Sequence, residues 1–165
     1  MKKLILDACC GSRMFWFNRK HPNALYVDNR KLDTHLCDGR SLKVEPDEIV
    51  DFREMPYPDH SFKLVVFDPP HLKTLGKTSW LAKKYGVLGE NWKDDIKKGF
   101  DECMRVLEIH GVLIFKWNES EIKVQELLDV IKDEPLFGHT TGRQAKTIWM
   151  CFMKIPHEPN ITQPK

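Results

Sequence analysis

Four short apolar runs of this chain deliver an aspartate at or near their carboxyl ends: LILD (4–7), ALYVD (24–28), EIVDF (48–52) and FKLVVFD (62–68). The last continues as DPPH, which is Asp68-Pro69-Pro70-His71. Neither proline has an N–H to give to a strand ladder, so the strand must stop at Asp68. The outcome is a rigid shelf that presents the Asp68 carboxylate and the Pro69 carbonyl at fixed positions. Two preorganised acceptors suit a planar group that offers two N–H donors. His71 adds a ring that stacks when neutral and whose ordinary pKa lies near neutrality.

The first run is followed by small residues, Ala8-Cys9-Cys10-Gly11-Ser12. Gly11 lets a ligand approach the backbone closely. Ser12 is placed to cap a short helix opening within GSRMFWFNRK (11–20), and the first-turn N–H groups of such a helix attract an anion. The loop lacks the GxGxxG pattern, which disfavours a pyrophosphate dinucleotide. Asp28, at the second strand end, is placed to accept both hydroxyls of a ribose. The ligand implied is a nucleoside carrying a small anionic arm.

A scaffold must hold these groups together. Strands are expected at 4–7, 24–28, 48–52, 62–68 and 111–117. Apolar residues at 96, 100, 103, 104 and 107 have the spacing of a helix face and predict a helix over 91–107; the same periodicity predicts one over 121–131. PLFGH (135–139) and KTIWMCFMK (146–154) predict a closing hairpin. The fold class is α/β: a single Rossmann-like domain with a mostly parallel sheet, helices on both faces and an antiparallel C-terminal hairpin. In such sheets ligands sit beyond the carboxyl strand ends, at the topological switch point. Residues 1–155 form the domain. Residues 72–90, with three glycines, four lysines and no clean period, are expected to be a mobile lid; the polar tail 156–165 is expected to fray.

Composition narrows the setting. With 165 residues, 41% hydrophobic and 30% charged, the chain has the make-up of one ordinary globular domain. A net charge of +2 does not by itself imply a polyanionic partner. The five cysteines form no CxxC pair, so reduced thiols, a cytoplasmic setting and no metal site are expected. The start MKKLILD has only LIL before Asp7, too short for a signal peptide, and no stretch reaches membrane-spanning length.

LDACCGSRM (6–14) resembles the first motif of class I S-adenosylmethionine-dependent methyltransferases, especially its GSG version in amino-methylating nucleic-acid enzymes. YVD (26–28) is similar to the acidic ribose motif of that family. VDFREMPYPDHSFKLVVFDPPH (50–71) resembles the stretch from its adenine-contacting acid to its catalytic loop, and DPPH resembles the DPPY-type motif. The compact layout is also similar to small methyltransferases of bacteriophages and mobile elements. The resemblance implies S-adenosylmethionine as cofactor, held by Asp7, Ala8, Cys9, Cys10, Gly11, Ser12, Arg13, Asp28, Asp51 and Phe52. It implies Asp68, Pro69, Pro70 and His71 as the catalytic set, acting on an amino nitrogen, with adenine N6 of DNA or RNA the first candidate. A protein amide, a small molecule, or a cofactor-binding module without turnover are the alternatives. No target-recognition domain is evident, so a homo-oligomer or a partner protein would supply that surface. Two positions depart from the family pattern: Arg13 stands where a second glycine is usual, and His71 where an aromatic ring is usual.

Overall fold

The computed structural model describes residues 2–36, 38–74, 80–140 and 146–156. The strands are β1 (Ile5–Asp7), β2 (Ala24–Asp28), β3 (Leu32–His35), β4 (Ser41–Val44), β5 (Glu48–Ile49), β6 (Phe62–Phe67), β7 (Leu107–Asn118), β8 (Phe137–Thr140) and β9 (Thr147–Met153). The helices are α1 (Trp80–Tyr85), α2 (Trp92–Val106) and α3 (Val124–Ile131). Seven strands make one sheet in the order β5-β2-β1-β6-β7-β9-β8. β5, β2, β1, β6 and β7 run parallel, and β9 joins antiparallel between β7 and β8. The chain moves outward from β1 through β2 to β5, then returns to β6 on the other side of β1. The switch point therefore lies between β1 and β6. Asp7 and Asp68 stand at its carboxyl end. This is an α/β, Rossmann-like fold with a mostly parallel sheet and an antiparallel C-terminal hairpin.

Paired residues share a sheet face, so the register separates the two sides. The row Leu6, Val65, Leu113 and Phe152 is fully or almost fully buried under α2 and α3. α2 contributes Trp92, Ile96, Phe100, Cys103 and Val106, spaced to put one apolar stripe on the sheet. Gly99 completes that stripe because nothing larger fits: a Cβ there would lie 2.5 Å from Phe52 and 2.8 Å from Phe67.

The opposite row runs Asp7, Val66, Ile114, Cys151 and Phe137. Here the expected helix after Ser12 is corrected. Residues 11–20 form successive turns and bends, so Ser12 caps no helix. Asn18, His21 and Pro22 interrupt the periodicity, and the segment is tied down through aromatic side chains instead. Trp16 packs edge-on against Tyr26 at 4.9 Å between centroids, and Phe15 against Trp149 at 5.5 Å. Another element was not expected: β3 and β4 pair as a separate antiparallel hairpin around a small core of Leu36, Leu42 and Val44. The alternation Leu32, Thr34, Leu36 and Leu42, Val44 carried that signal. The expected fraying concerned the tail 156–165, of which 157–165 lie outside the described residues.

Gly99→Ala is expected to destabilise the fold by about 1–3 kcal/mol through overpacking against two ring edges. Urea unfolding checks it. An unchanged midpoint would show that Phe52 and Phe67 give way freely.

Candidate functional site

Three carboxylates stand at adjacent strand ends, and each has its own partner. Asp7 is fully buried and accepts a 2.7 Å hydrogen bond from Trp16 Nε1, with a longer one from the Cys9 N–H. Burial pushes its carboxyl pKa up to about 7 despite the Trp16 hydrogen bond, and the neighbouring Asp68 and Asp28 charges add to the rise. Asp28, 4% exposed, accepts from the Gly11 N–H at 3.0 Å and from Arg30 through its backbone N–H, Nε and Nη2. Its four lone-pair positions are thus all engaged. Asp68 accepts from Lys116 Nζ at 2.6 Å. Burial raises the Asp68 pKa, and Lys116 opposes that rise by charge and hydrogen bond.

Lys116 and Arg30 were not singled out from the sequence as site residues. Lys116 follows the apolar run of β7 at its carboxyl end, as the aspartates follow theirs, and that placement was the available signal. Its ammonium also lies 5.5 Å from the Phe15 ring centroid and 5.8 Å from that of Trp149. Arg30 comes two residues after Asp28, close enough to fold back onto it.

Pro69 is buried and Pro70 half-buried, and a Cβ on Gly86 would lie 3.0 Å from the Pro70 ring. That contact, with Gly86 at φ +77°, brings the chain after α1 down onto the shelf. His71 is half-buried, 5.7 Å from the Tyr85 ring and 6.4 Å from the Trp117 ring. Burial first, and the Lys116 charge second, push its pKa down to about 4, so the ring is neutral at physiological pH.

Asp68, His71 and Lys116 line two adjoining cavities. One, of about 220 Å³, reaches the loop at Cys9, Gly11 and Ser12 and also touches Arg30. The other, of about 280 Å³, opens toward Asn118, Ser120 and Thr147. A smaller space of about 40 Å³ lies between Asp28, Phe52, Pro70 and Tyr85. Asp51 does not face these cavities: it pairs with Arg53, which bridges to Asp95, and lines an outer depression with Glu54 and Pro56. Phe52 is nearly buried, edge-on to Phe67 at 5.4 Å.

Arg13 takes a left-handed backbone conformation that favours glycine, with φ +54°. Its side chain stacks 3.8 Å from the Tyr26 ring centroid and donates to Arg19 O, Glu45 O and Asp47. It pins the turn segment to the connection between β4 and β5. Cys9 and Cys10 are held as thiols: burial pushes Cys10 up to about 12 and Cys9 well above its ordinary value. Among the described residues no cluster of three or more His, Cys, Asp or Glu is placed to hold a metal, and no helix is long and apolar enough to cross a membrane.

No protein-family model matches the chain, and no curated protein matches it in sequence. Its fold is similar to that of the PH0226 protein from Pyrococcus horikoshii OT3, with a TM-score of 0.54 and 14% identity over 94% of this chain and 84% of that one. It is also similar to a SAM-dependent methyltransferase from Leishmania major, with a TM-score of 0.52 and 14% identity over 91% of this chain and 63% of that one. This chain therefore spans less than two thirds of the Leishmania protein. The likeness reaches the fold of these structures and does not single out the DPPY-type enzymes of phages.

The folded-state pKa of Asp7 is raised, so the folded protein holds that proton more tightly than the unfolded chain does. Its stability contribution is therefore fully present below pH 3.8 and is lost as the pH rises to about 7. Asp7→Asn copies the protonated acid. It is expected to stabilise the free protein on the order of 2 kcal/mol at pH 8, with a smaller gain at pH 4. Urea unfolding at both values checks the sign; an equal loss at both would mean that the Trp16 contact requires the acid itself.

Proposed function

We propose that this chain transfers a methyl group from S-adenosylmethionine to an amino nitrogen held by Asp68 and Pro69, with adenine N6 of a nucleic acid the first candidate. The observation that carries the reading is the meeting of two cavities on Asp68, His71 and Lys116, one from the cofactor loop and one from the open side. The residues present fit the cofactor in chemistry: a buried acid for ribose hydroxyls, Phe52 and Tyr85 rings beside it, and an open Gly11 loop. A space of about 40 Å³ is far smaller than a nucleoside, so Arg30 and Tyr85 must swing aside on binding. Tyr85 belongs to α1, within 72–90, which supports reading that segment as a lid.

When bound, S-adenosylmethionine supplies an already activated methyl group. The protein then has to position and to exclude water. Asp68 and the Pro69 carbonyl each accept one N–H of the amino group, which turns its lone pair out of the ring plane toward the methyl carbon. The neutral His71 ring packs on the planar acceptor. A base buried in a duplex would have to be flipped out to arrive there. After transfer the nitrogen sheds an acidic proton, and Asp68 is the nearest acceptor.

Lys116 favours a second reading. An ammonium 2.6 Å from Asp68 is a donor in a place where an amino group wants acceptors. A hydroxyl would satisfy both residues, giving its proton to Asp68 and accepting from Lys116. Transfer of labelled methyl groups to DNA, RNA, protein and metabolite fractions, with identification of an N-methyl or O-methyl product, separates the two.

Asp68→Ala is expected to lower the rate at least a hundredfold and to leave cofactor affinity within a few-fold. His71→Phe should retain most activity, and the wild-type rate should show no His71 titration between pH 5 and 8 because its pKa is held near 4. Calorimetry that finds no S-adenosylmethionine binding to the folded wild type would remove the reading altogether.

A further inference from the structure

A cleft of about 500 Å³ lies away from the carboxyl ends of the central strands. It runs beside β2, between the turn segment 11–23 and the connection from β4 to β5. Its charge is lopsided. Glu45 and Asp47 are the acids in its wall, and each is already matched: Lys43 lies 2.9 Å from Glu45, and Arg13 3.0 Å from Asp47. Lys3, Arg19 and Lys20 remain, and among the described residues no further acid lines the cleft to offset them. Lys3 gives one hydrogen bond to the Pro22 carbonyl, which leaves its charge unneutralised.

Two residues before Arg19 stands Phe17, whose side chain is fully exposed at 109%. A phenyl ring gains nothing from water. Its neighbours Phe15 and Trp16 both pack on the sheet, and Phe17 does not. The turn is also held firm, with Arg13 donating to the Arg19 carbonyl at 2.8 Å and the Tyr26 hydroxyl to the Asn18 carbonyl at 3.2 Å. A braced turn thus presents one free aromatic ring and two cations, the combination that takes up single strands: phosphates in a basic groove, bases stacked on rings. The cleft shares Gly11 and Ser12 with the cavity that reaches Asp68.

We infer that this cleft docks the backbone of single-stranded nucleic acid, with Arg19, Lys20 and Lys3 on phosphates and Phe17 under a base. A strand lying there passes the Gly11 loop toward the acceptor position. The inference deepens the nucleic-acid reading above and rests on it.

The test is fluorescence anisotropy of the full chain with labelled single-stranded RNA and DNA oligonucleotides, titrated from 50 to 200 mM salt. R19E/K20E is expected to weaken binding at least tenfold and to flatten the log K against log salt slope by roughly 1.4, the effect of two lost single-strand phosphate contacts. F17A is expected to weaken it roughly fivefold or more. Calorimetry with S-adenosylmethionine should give both variants wild-type cofactor affinity, which shows that they fold. No binding by wild type at 50 mM salt overturns the inference, as does wild-type affinity in both variants. A heparin oligosaccharide that binds as tightly as the oligonucleotides, together with an unaffected F17A, also overturns it. If oligonucleotides bind through these residues yet none is methylated, the cleft stands and the nucleic-acid acceptor falls. Methylation of an oligonucleotide by R19E/K20E with unchanged KM would instead overturn the cleft alone.

Discussion

Three carboxylates at adjacent strand ends, two of them at the switch point, are the constraint on which this structure depends. An ionised carboxylate out of water is costly unless it is paired or hydrogen-bonded, and like charges nearby make it costlier. Each aspartate is relieved differently: Asp7 by an indole N–H and a raised pKa, Asp28 by the Gly11 amide and Arg30, Asp68 by Lys116. These partners come from separate parts of the chain. Satisfying the three acids therefore fixes the turn segment, the loop after β2 and the end of β7 against one another.

The turn segment shows how far that reaches. A helix after β1 would have covered the second sheet face with an apolar stripe. Instead Trp16 spans from Asp7 to Tyr26, Phe15 reaches Trp149, and Arg13 lies across Tyr26 to bind the connection before β5. A few large side chains do the covering, and the backbone is left free to turn. That irregular path is what opens the basic cleft and leaves Phe17 in solvent. The same aromatic rings, Phe15 and Trp149, flank the Lys116 ammonium, so the cover of the sheet and the electrostatics of Asp68 are one arrangement.

The parallel order and the C-terminal hairpin were legible because they rest on local signals. Apolar runs of strand length, the helical spacing in 91–107 and the proline stop at Asp68 are each readable within a few residues. So was the gathering of Asp7, Asp28 and Asp68, since alternating elements in a parallel sheet bring carboxyl ends to one edge. The helix after Ser12 was misread because the local capping signal is real, and the tertiary pull of Asp7 on Trp16 and of Tyr26 on Arg13 outweighs it. Asp51 followed the same strand-end logic as the others, yet Arg53 draws it outward.

What the sequence determined by itself is therefore which atoms are offered: acids at strand ends, a rigid acceptor shelf, a small-residue loop. Only the tertiary structure decided their protonation and their partners. Lys116 is 48 residues from Asp68 along the chain, and its 2.6 Å approach exists because β6 and β7 pair in register as neighbours. The neutral His71 likewise reflects burial beside Tyr85 and that same lysine, from segments far apart in sequence. Charge and desolvation act through space over a few ångströms, and no local pattern of residues encodes which distant groups will meet there.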